Sequence, residues 1–487
     1  MKIDYVITKD EPMRLIDFLT KHHYSKLMIK KMIQEKHSFI VNDRYVDINF
    51  LLLKDDHLII NLPLEKTFNG RVDELPNIIY EDDYLMVIDK PPHLAVIGTR
   101  AHINYNLSLM IANYYQQKRI NSGVHLINRL DKETSGLLMV AKHAYIHHLF
   151  SINVVTTTRK YIAIVEGTFK AKKGTINLPI KKHPNHTLKR IVDDLGKTAI
   201  THYKIIDSNN DFSVLELELE TGRTHQIRVH FSHLNHPIVG DPLYGNEFFD
   251  KMFLQSYQLS FIHPIYNKEI TITLPKEKQF SLKSLSLEDV YLPNTNFKLY
   301  QHKHLYHISS DTILLGEYLK INQDEVVVDV GTNNGALLLY ASKYQPKLLI
   351  GVEINDKALN IARINLKKNK IENYQLINDA VQNVKLEDID VIISNPPYYQ
   401  NQVKLKNNSP NYTCTHEDTL TLSELFLFAS NSLKNEGRFY LINRYNRLDE
   451  IKELCHKYHF EINDLWIEDK DDINKQRILL TLIKIST

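Results

Sequence analysis

The apolar residues of this 487-residue chain change their spacing near residue 300. Beyond that point, continuous apolar runs such as "EVVVDVG", "LLIGVEIN" and "IDVIISNPPY" alternate with amphipathic helical patterns such as "KALNIARINLKKNK". Buried parallel strands joined by crossover helices have this pattern. The last part of the chain, residues 300–487, is therefore predicted to be an α/β domain with a doubly wound, Rossmann-like parallel sheet.

The stretch from residue 75 to 280 is rich in strands of a different kind. Segments such as "YLMVIDK", "GLLMVAK" and "KYIAIVEG" are short and apolar, and "FSVLELELE" alternates apolar and polar residues as a half-buried strand does. This pattern predicts an α+β domain with a mixed, mainly antiparallel sheet. The segment 281–299 between the two domains is predicted to be a linker.

Two short amphipathic helices are predicted within residues 14–36. The first places Leu15, Phe18 and Leu19 on one face, and the second begins after Ser25, a residue type that favours the N-cap. On its remaining surface the second helix carries the basic residues Lys26, Lys30 and Lys31. On charge alone, these lysines would be interpreted as an ordinary solvated helix face.

The order of helix, basic helix, "FIVND" hairpin and "KDDHLIINLP" resembles the S4-type RNA-binding module. The resemblance assigns residues 1–65 to a small αβ module whose basic helix contacts RNA phosphates. Such contacts position RNA without reading its sequence. Because the net charge of the chain is only +2, any RNA-binding surface must be local.

Composition narrows the class of protein further. The chain is 43% hydrophobic and 24% charged, as in ordinary globular proteins, and is long enough for two or three domains. With only two cysteines, Cys414 and Cys455, the chain cannot be stabilised by a disulfide framework. The chain has 24 histidines but no HExxH or CxxC motif, so we predict no bound metal. The lack of a membrane-length apolar stretch and of an apolar signal core predicts a cytoplasmic protein without a membrane partner.

A cluster of charged residues around Asp131 directly precedes the apolar run "GLLMVAK". Taken alone, such a cluster would be interpreted as a solvated turn. The segment "NRLDKETSGLL", together with "YEDDYLMVIDKPPHLAV", "RKYIAIVEG" and "TGRTHQIRVHFSHLNHPIVGDPLYG", resembles in order and spacing the RluA family of RNA pseudouridine synthases. The resemblance implies that residues 75–280 convert uridine to pseudouridine in rRNA or tRNA, without a cofactor.

The same resemblance implies a role for each residue of the site. The target base must first leave its stack, at a cost of about a few kcal/mol. Asp131 would then act on the flipped uridine as nucleophile or base, and Arg228 would keep this partly desolvated carboxylate charged. Tyr161 would stack on the uracil, and Arg129 would fill the gap that the base leaves. Asp241 is expected to fix a loop rather than to react.

Two positions depart from the family pattern. Many members carry His where Asn128 stands and Gly where Asn235 stands. Neither position supplies the carboxylate, so these departures bear on substrate detail and not on activity.

The segment "VVVDVGTNNG" (326–335) places a small-residue turn between a strand and a helix, where parallel sheets bind ligands. The candidate ligand residues of this segment are Asp329, Gly331, Asn333 and Gly335. Glu353 at the end of the next strand is suited to ribose hydroxyls, and Asp379 to an adenine edge. These spacings resemble class I S-adenosylmethionine-dependent methyltransferases, although NAD-dependent dehydrogenases carry an acidic residue in the same place.

The segment "ISNPPYY" (393–399) favours the methyltransferase interpretation. Asn395-Pro396-Pro397-Tyr398 resembles the tetrapeptide of methyltransferases that act on planar amino groups. The resemblance implies that the Asn395 side-chain oxygen and the Pro396 carbonyl hold the acceptor amino group while Tyr398 stacks on its ring.

The flanking segments narrow the substrate. "YQHKHLYHISSDTILLGEYL" and "THEDTLTLSELFLFASNSLKNEG" resemble the family that N6-methylates the adenine next to the anticodon of a valine tRNA. The chain is thus predicted to be a bifunctional RNA-modifying enzyme that uses S-adenosylmethionine in its last domain. Three alternatives stay open: methylation of a protein glutamine, methylation of a DNA adenine, and a non-catalytic RNA-binding assembly factor.

Overall fold

The computed structural model describes residues 1–35, 37–66, 72, 74–98, 105–152, 154–245, 249, 251–303, 305–396, 420–470 and 476–486. The chain divides into two compact units, Met1–Leu282 and Lys283–Thr487. Within the described ranges, no helix combines the length and the apolar character that a membrane span requires.

The first unit begins with a small module that has its own sheet. Its elements are β1 (Lys2–Val6), β2 (Met13–Arg14), α1 (Leu15–Lys21), α2 (Lys26–Gln34), β3 (Phe39–Val41), β4 (Arg44–Tyr45), β5 (Leu51–Leu52) and β6 (His57–Asn61). The strands form an antiparallel sheet in the order β1-β6-β3-β4, and β2 pairs with β5.

The predicted N-terminal helices are confirmed. The residues predicted to share one face of α1 are all buried: Leu15, Phe18 and Leu19. Ser25 caps α2, since its hydroxyl oxygen accepts a hydrogen bond from Met28 N at 3.2 Å.

The N-terminal module packs against the rest of the first unit. The rings of Tyr24 and Tyr145 stack with centroids 4.1 Å apart, and the Tyr145 hydroxyl donates to His22 O at 2.8 Å. The Glu65 carboxylate, just after the module, lies 2.6 Å from His125 Nε2 and accepts from Ala144 N at 3.0 Å. These contacts explain why the predicted module 1–65 and the following domain form one compact unit.

The rest of the first unit is built on one large mixed sheet. Its elements are β7 (Ile78–Glu81), β8 (Leu85–Lys90), α3 (Leu107–Lys118), β9 (His125–Leu126), β10 (Ser135–Ala141), α4 (Ala144–Ser151), β11 (Thr157–Glu166), β12 (Lys173–Asn177), β13 (Ile180–Lys182), β14 (Arg190–Val192), β15 (Ile200–Ser208), β16 (Phe212–Leu219), α5 (Gln226–His233), β17 (Leu254–Ile262) and β18 (Glu269–Thr273). The sheet runs β12-β15-β16-β11-β17-β10-β8-β7. Its pairs are antiparallel except β10 with β17, so the predicted mixed, mainly antiparallel sheet is confirmed.

Strand β17 brings two distant segments together at the centre of this sheet. Ser256 pairs with Gly136 at the start of β10 and with Tyr161 in β11. Gly136 has φ +100°, and a Cβ at this position would lie 2.1 Å from Ser256 O. Only glycine therefore allows β10 to approach β17 here, and this approach brings the chain just after Asp131 towards Tyr161.

The second unit is an α/β fold with a mostly parallel sheet. Its elements are β19 (Leu287–Tyr291), β20 (Lys298–His302), α6 (Ser310–Tyr318), β21 (Val326–Val330), α7 (Ala336–Ser342), β22 (Leu348–Val352), α8 (Asp356–Lys368), β23 (Tyr374–Ile377), β24 (Ile389–Ser394), α9 (Leu422–Ser432), β25 (Leu433–Arg444), α10 (Leu448–Tyr458), β26 (Phe460–Ile467) and β27 (Arg477–Lys484). The sheet order is β23-β22-β21-β24-β25-β27-β26, and β27 runs antiparallel to both of its neighbours. This inserted antiparallel strand differs from the 3-2-1-4-5-6 order of dinucleotide-binding folds.

The segment 281–299, predicted to be a linker, is folded instead. It contains β19, which pairs with β20 in an antiparallel hairpin, and Leu292 and Leu299 are fully buried in the core of the second unit. The division between the units falls earlier, between Leu282 and Lys283. The hairpin was missed because its burial depends on side chains such as Leu292 and Leu299, which pack against elements distant in the chain.

Replacing Gly136 with Ala is expected to lower the free energy of unfolding of the first unit by about 3 kcal/mol, because the new Cβ meets a backbone carbonyl at a positive φ. Calorimetry of the full chain measures the effect. Gly222→Ala is the matched control, since its Cβ would make only an ordinary contact 3.5 Å from Arg159 Nη2. Equal melting behaviour of the two variants would contradict the role given to Gly136.

Candidate active sites

The predicted residue Asp131 lies in the loop between β9 and β10, beside the helix α5. Its Oδ2 accepts a hydrogen bond from Arg228 Nη1 at 3.2 Å. The Asp131 side chain is 27% exposed whereas that of Arg228 is 5% exposed. A carboxylate that solvent reaches is thus held by a cation that is buried.

Arg228 is itself fixed by a second carboxylate. Its Nε and Nη2 donate to the two oxygens of Asp241, each at 2.7 Å, and the Asp241 side chain is fully buried. Burial works against the charged guanidinium, but the hydrogen bonds and negative charge of Asp241, together with the charge of Asp131, outweigh it and raise the pKa of Arg228. Asp241 also accepts from Leu243 N and Tyr244 N, as expected of a residue that fixes a loop.

Tyr161 lies in the middle of β11 and is buried. Burial raises the pKa of its hydroxyl, and the negative charge of Asp131 acts in the same direction. Ser256 pairs with both Gly136 and Tyr161, which brings the segment just after Asp131 next to β11, although Asp131 and Tyr161 are 30 positions apart in the chain. Asp131, Tyr161 and Arg228 form one cluster, which we call the first site.

Two further residues border the first site. His225 Nε2 lies 3.8 Å from Asp131 Oδ2, and His225 Nδ1 lies 2.9 Å from the Tyr244 hydroxyl. The Tyr244 ring faces the guanidinium of Arg228, whose Cζ is 5.2 Å from the ring centroid. The same hydroxyl accepts a hydrogen bond from Arg190 N at 2.7 Å, at the start of β14.

The buried side chain of Lys90 ties down the loop that carries Asp131. Its Nζ donates to Lys132 O, Leu94 O and Pro91 O at 2.8–2.9 Å. Burial lowers the pKa of Lys90 to about 7, although the charges of Glu133 and Asp131 oppose the shift. Lys90 therefore positions the backbone next to Asp131 from beneath.

The remaining predicted residues of this region have different environments. Arg129 is exposed, two positions before Asp131. Asn128 is buried and its Oδ1 accepts from Met139 N at 2.7 Å, a structural contact at the start of the loop. Asn235 has φ +61°, a conformation that glycine adopts freely and Asn better than most other residues.

In the second unit, the ends of four strands meet at one edge of the sheet. Val330 of β21 pairs with Val352 of β22 and with Ser394 of β24, and Val352 pairs with Ile377 of β23. The residues that follow these strands include every predicted ligand residue of this unit except Asp329, which belongs to β21 itself. The carboxyl edge of a parallel sheet is where such folds bind ligands, and we call this edge the second site.

Three residues of the turn after β21 have a left-handed backbone conformation. Gly331, Asn333 and Gly335 have φ of +77°, +48° and +79°. Gly331 is exposed, and a Cβ there would meet nothing within 4 Å, so its surroundings are open. Asp329 is fully buried beneath the turn and accepts from Thr332 Oγ1 at 2.6 Å, and burial raises its pKa to about 7.

Glu353 and Asp379 follow the two strands beside this turn. Glu353 accepts from Asn333 N and Asn355 N, each at 2.9 Å, which fixes its carboxylate against the turn. Burial raises the pKa of Glu353. Asp379 is exposed, and its Oδ1 accepts from Ala380 N and Asn383 Nδ2 at 2.7 and 2.8 Å.

Asn395 and Pro396 follow β24 at the same edge. Asn395 Nδ2 donates to Thr312 Oγ1 of α6 at 3.3 Å, so its amide nitrogen is directed towards α6. Pro396 is buried. Pro397 and Tyr398 lie outside the described residues.

Comparison with known proteins finds family matches for both parts of the chain. A model of the RNA pseudouridylate synthase family matches residues 84–233, which include Asp131, Tyr161 and Arg228. The uncharacterised RNA pseudouridine synthase YjbO of Bacillus subtilis is 36% identical over 247 residues, which are 50% of this chain and 87% of that protein. The ribosomal large subunit pseudouridine synthase D of Escherichia coli is 33% identical over 267 residues, 51% of this chain and 81% of that protein.

The chain belongs to the RluA family of RNA pseudouridine synthases.

The synthase region accounts for about half of the chain, and the second unit has a family match of its own. A model of the methyltransferase small domain matches residues 306–459. Among solved structures, human RNA pseudouridylate synthase domain containing 1 is 25% identical, with a TM-score of 0.35, and the match covers 42% of this chain and 85% of that one. The two family matches together show an RNA pseudouridine synthase fused to a methyltransferase domain.

Sequence reasoning missed several residues of this pseudouridine synthase that the structure brings to the two sites. They are Lys90, Arg190, His225, Tyr244 and Thr312. All but Arg190 belong to segments quoted for their family resemblance, so their motifs were the only available signal. Among the described residues, no group of three or more His, Cys, Asp or Glu side chains is arranged to hold a metal ion.

Asp241→Asn is expected to reduce pseudouridine formation about 100-fold or more, because Arg228 loses the charged partner that aligns it with Asp131. Breaking this buried pair should also cost about 3–5 kcal/mol of folding stability. Glu220→Gln is the matched control, since Glu220 pairs with His202 at the surface and such pairs contribute only about 0–1 kcal/mol. Rates at saturating RNA and melting temperatures measure both effects, and a wild-type rate for Asp241→Asn would contradict them.

Lys90 gives the protein a predicted pH dependence of stability. Its folded pKa of about 7 lies below the value of about 10.4 for an unfolded lysine, so between these values the unfolded chain binds the extra proton. Stability therefore rises with pH by up to about 1.4 kcal/mol per unit. Urea denaturation should show wild type gaining stability relative to Lys90→Met from about pH 7.5 to 9.5. A difference that does not change with pH would contradict the lowered pKa.

Proposed function

We propose that this protein is a bifunctional RNA-modifying enzyme whose residues 75–280 isomerise uridine with Asp131 as the reacting carboxylate. The observation that carries the proposal is the Asp131 carboxylate, open to solvent, 3.2 Å from the buried cation of Arg228. The substrate is a uridine of rRNA or tRNA. The domain needs no cofactor for this reaction.

The chemistry requires an ionised carboxylate against the flipped base. The glycosidic bond from N1 to C1′ breaks, the uracil turns, and C5 bonds to C1′ while the C5 hydrogen leaves as a proton and N1 regains one. Asp131 acts in this sequence as nucleophile or as base. Arg228 keeps its carboxylate charged in a site that a bound nucleotide desolvates.

The neighbours of Asp131 hold the flipped nucleotide. Tyr161 forms the buried aromatic surface on which the uracil stacks, and such stacking contributes about 1–3 kcal/mol per base. Arg129 is exposed beside Asp131 and fills the space that the flipped base leaves in the RNA. Flipping costs about a few kcal/mol, which these two contacts offset.

Two basic surfaces bind the RNA backbone. Residues 1–65 act as an S4-type module through the exposed lysines of α2: Lys26, Lys30 and Lys31. The β13–β14 hairpin adds Lys182 and Arg190, which pair across its strands. Because the overall charge is close to neutral, these local surfaces supply the phosphate contacts.

Residues 300–487 bind S-adenosylmethionine at the second site. The open space over Gly331, the fixed carboxylate of Glu353 and the exposed carboxylate of Asp379 fit the methionine, ribose and adenine parts of that cofactor. Asp329 supports the turn from beneath, and the positive φ of Asn333 and Gly335 shapes it. The bound cofactor supplies an electrophilic methyl group.

The acceptor is the N6 amino group of an adenine in tRNA, next to the anticodon of a valine tRNA. Because its lone pair is delocalised into the ring, acceptors must hold the NH2 group for attack. Asn395 suits this role by its place in the motif, and the bond from its Nδ2 to Thr312 Oγ1 holds its side chain against α6. Pro396 contributes its carbonyl, and Pro397 and Tyr398 complete the tetrapeptide.

Nucleoside analysis tests both activities. Total tRNA and ribosomal RNA from a strain lacking this protein are each treated with purified full-length protein and S-adenosylmethionine, then resolved by chromatography and mass spectrometry. We expect new pseudouridine, identified by retention time, and N6-methyladenosine in tRNA. Asp131→Asn should lower only the first product, about 1,000-fold or more, and Asn395→Ala only the second, about 100-fold.

The controls replace exposed residues of the same type in each unit: Asp207→Asn and Asn322→Ala. Methylation of a release-factor glutamine or of DNA adenine instead of tRNA would replace the proposed acceptor. A non-catalytic assembly factor would be favoured by two results together. Neither product forms with any RNA, and the Asp131→Asn, Asn395→Ala double variant rescues the deletion strain.

A further inference from the structure

We propose that His225 is a positioning residue that presents its Nε2–H to Asp131 and thereby orients the reacting carboxylate. The proposal deepens the first proposed activity and rests on Asp131 as its reacting group. Its basis is a chain of contacts from Asp131 through His225 and Tyr244 to the backbone of the β13–β14 hairpin.

The first link of this chain is the contact between His225 and Asp131. His225 Nε2 faces the same oxygen, Oδ2, that accepts from Arg228 Nη1, at 3.8 and 3.2 Å respectively. Contacts of this kind are commonly long in the free enzyme and tighten when substrate binds. In the proposal, the His225 contact shortens when RNA binds, so that two donors on Oδ2 fix the rotation of the carboxylate and leave Oδ1 for the uridine.

Two neighbours select the same tautomer of His225. Arg190 N–H donates to the Tyr244 hydroxyl oxygen at 2.7 Å, so the single hydroxyl hydrogen of Tyr244 is available for His225 Nδ1, 2.9 Å away. With Nδ1 as acceptor, the ring hydrogen is on Nε2, where the acceptor-only carboxylate of Asp131 requires a donor. The other tautomer would direct two donors at the Tyr244 oxygen and a lone pair at Asp131.

The backbone holds the ring in this place. His225 is the N-cap of α5 with φ +58°, a conformation uncommon for residues other than glycine and concentrated at functional sites. The His225 side chain is only 15% exposed, and burial lowers the pKa of its imidazole. The charged groups that act on it are Asp131, Arg228, Arg190 and Asp241. A neutral imidazole donates to the carboxylate without adding a second cation beside Arg228.

The last link connects the reacting group to an RNA-binding surface. Arg190 begins β14, in the hairpin whose basic side chains face the RNA backbone in our proposal. Its amide fixes the Tyr244 hydroxyl, Tyr244 fixes the tautomer of His225, and His225 orients Asp131. An RNA that binds this hairpin in the correct position therefore also orients the Asp131 carboxylate.

The test compares full-length variants in single-turnover reactions with whichever RNA pool wild type modifies. His225→Leu should lower the rate at saturating RNA about 10- to 100-fold while the RNA dissociation constant stays within about 2-fold. His225→Gln should recover most of the rate, because its side-chain amide places an N–H near the position of Nε2–H. Tyr244→Phe keeps the ring that faces Arg228 and should lower the rate about 3- to 10-fold.

A double-mutant cycle separates this role from simple packing. If Tyr244 acts through His225, then Tyr244→Phe should change nothing further in the His225→Leu background. His233→Leu is the matched control, an exposed histidine at the other end of α5. A wild-type rate for His225→Leu, equal losses for His225→Leu and His225→Gln, or additive effects of the two changes would each overturn the proposal. Activity of Asp131→Asn in the same assay would instead overturn the proposed function.

Discussion

The buried guanidinium of Arg228 is the constraint on which the first site depends. A buried cation is costly unless charged partners surround it, and removing one partner leaves the cost without compensation. Asp241 takes two of its donor groups, which leaves Nη1 directed at Asp131. Asp241 also binds the backbone of the segment that carries Tyr244. One ion pair therefore fixes the cation, the carboxylate that is proposed to react and the loop that borders them.

Local features of the fold were predictable, and the reason is periodicity. The buried face of α1, the Ser25 cap and the continuous apolar run of β21 follow from the spacing of residue types along one element. The 281–299 segment was not predictable, because its folding depends on burial of Leu292 and Leu299 against elements far along the chain. Local pattern carries no information about such partners.

The sites show the same division between motif and geometry. Asp131 and Arg228 are 97 positions apart, and no spacing rule predicts that they lie together. Only the family resemblance of their motifs assigned them to one site. In the second unit, Asn395 and Thr312 are 83 positions apart. In both sites, a motif residue predicted to contact substrate is oriented by a residue that is remote in the sequence. The motif therefore identifies the expected chemistry, whereas the fold determines how the side chain of the motif residue is oriented.

The near-neutral charge of the chain now has a physical interpretation. A strongly basic protein would hold any RNA through counterion release, irrespective of structure. Here the basic residues proposed to contact RNA are confined to α2 and the β13–β14 hairpin, and the total charge is only +2. If these surfaces bind RNA as proposed, their few phosphate contacts bind weakly until RNA of the right shape engages both surfaces at once. Because the hairpin is linked to Asp131 through Tyr244 and His225 in our proposal, that proposal makes recognition of RNA shape and alignment of the carboxylate one event.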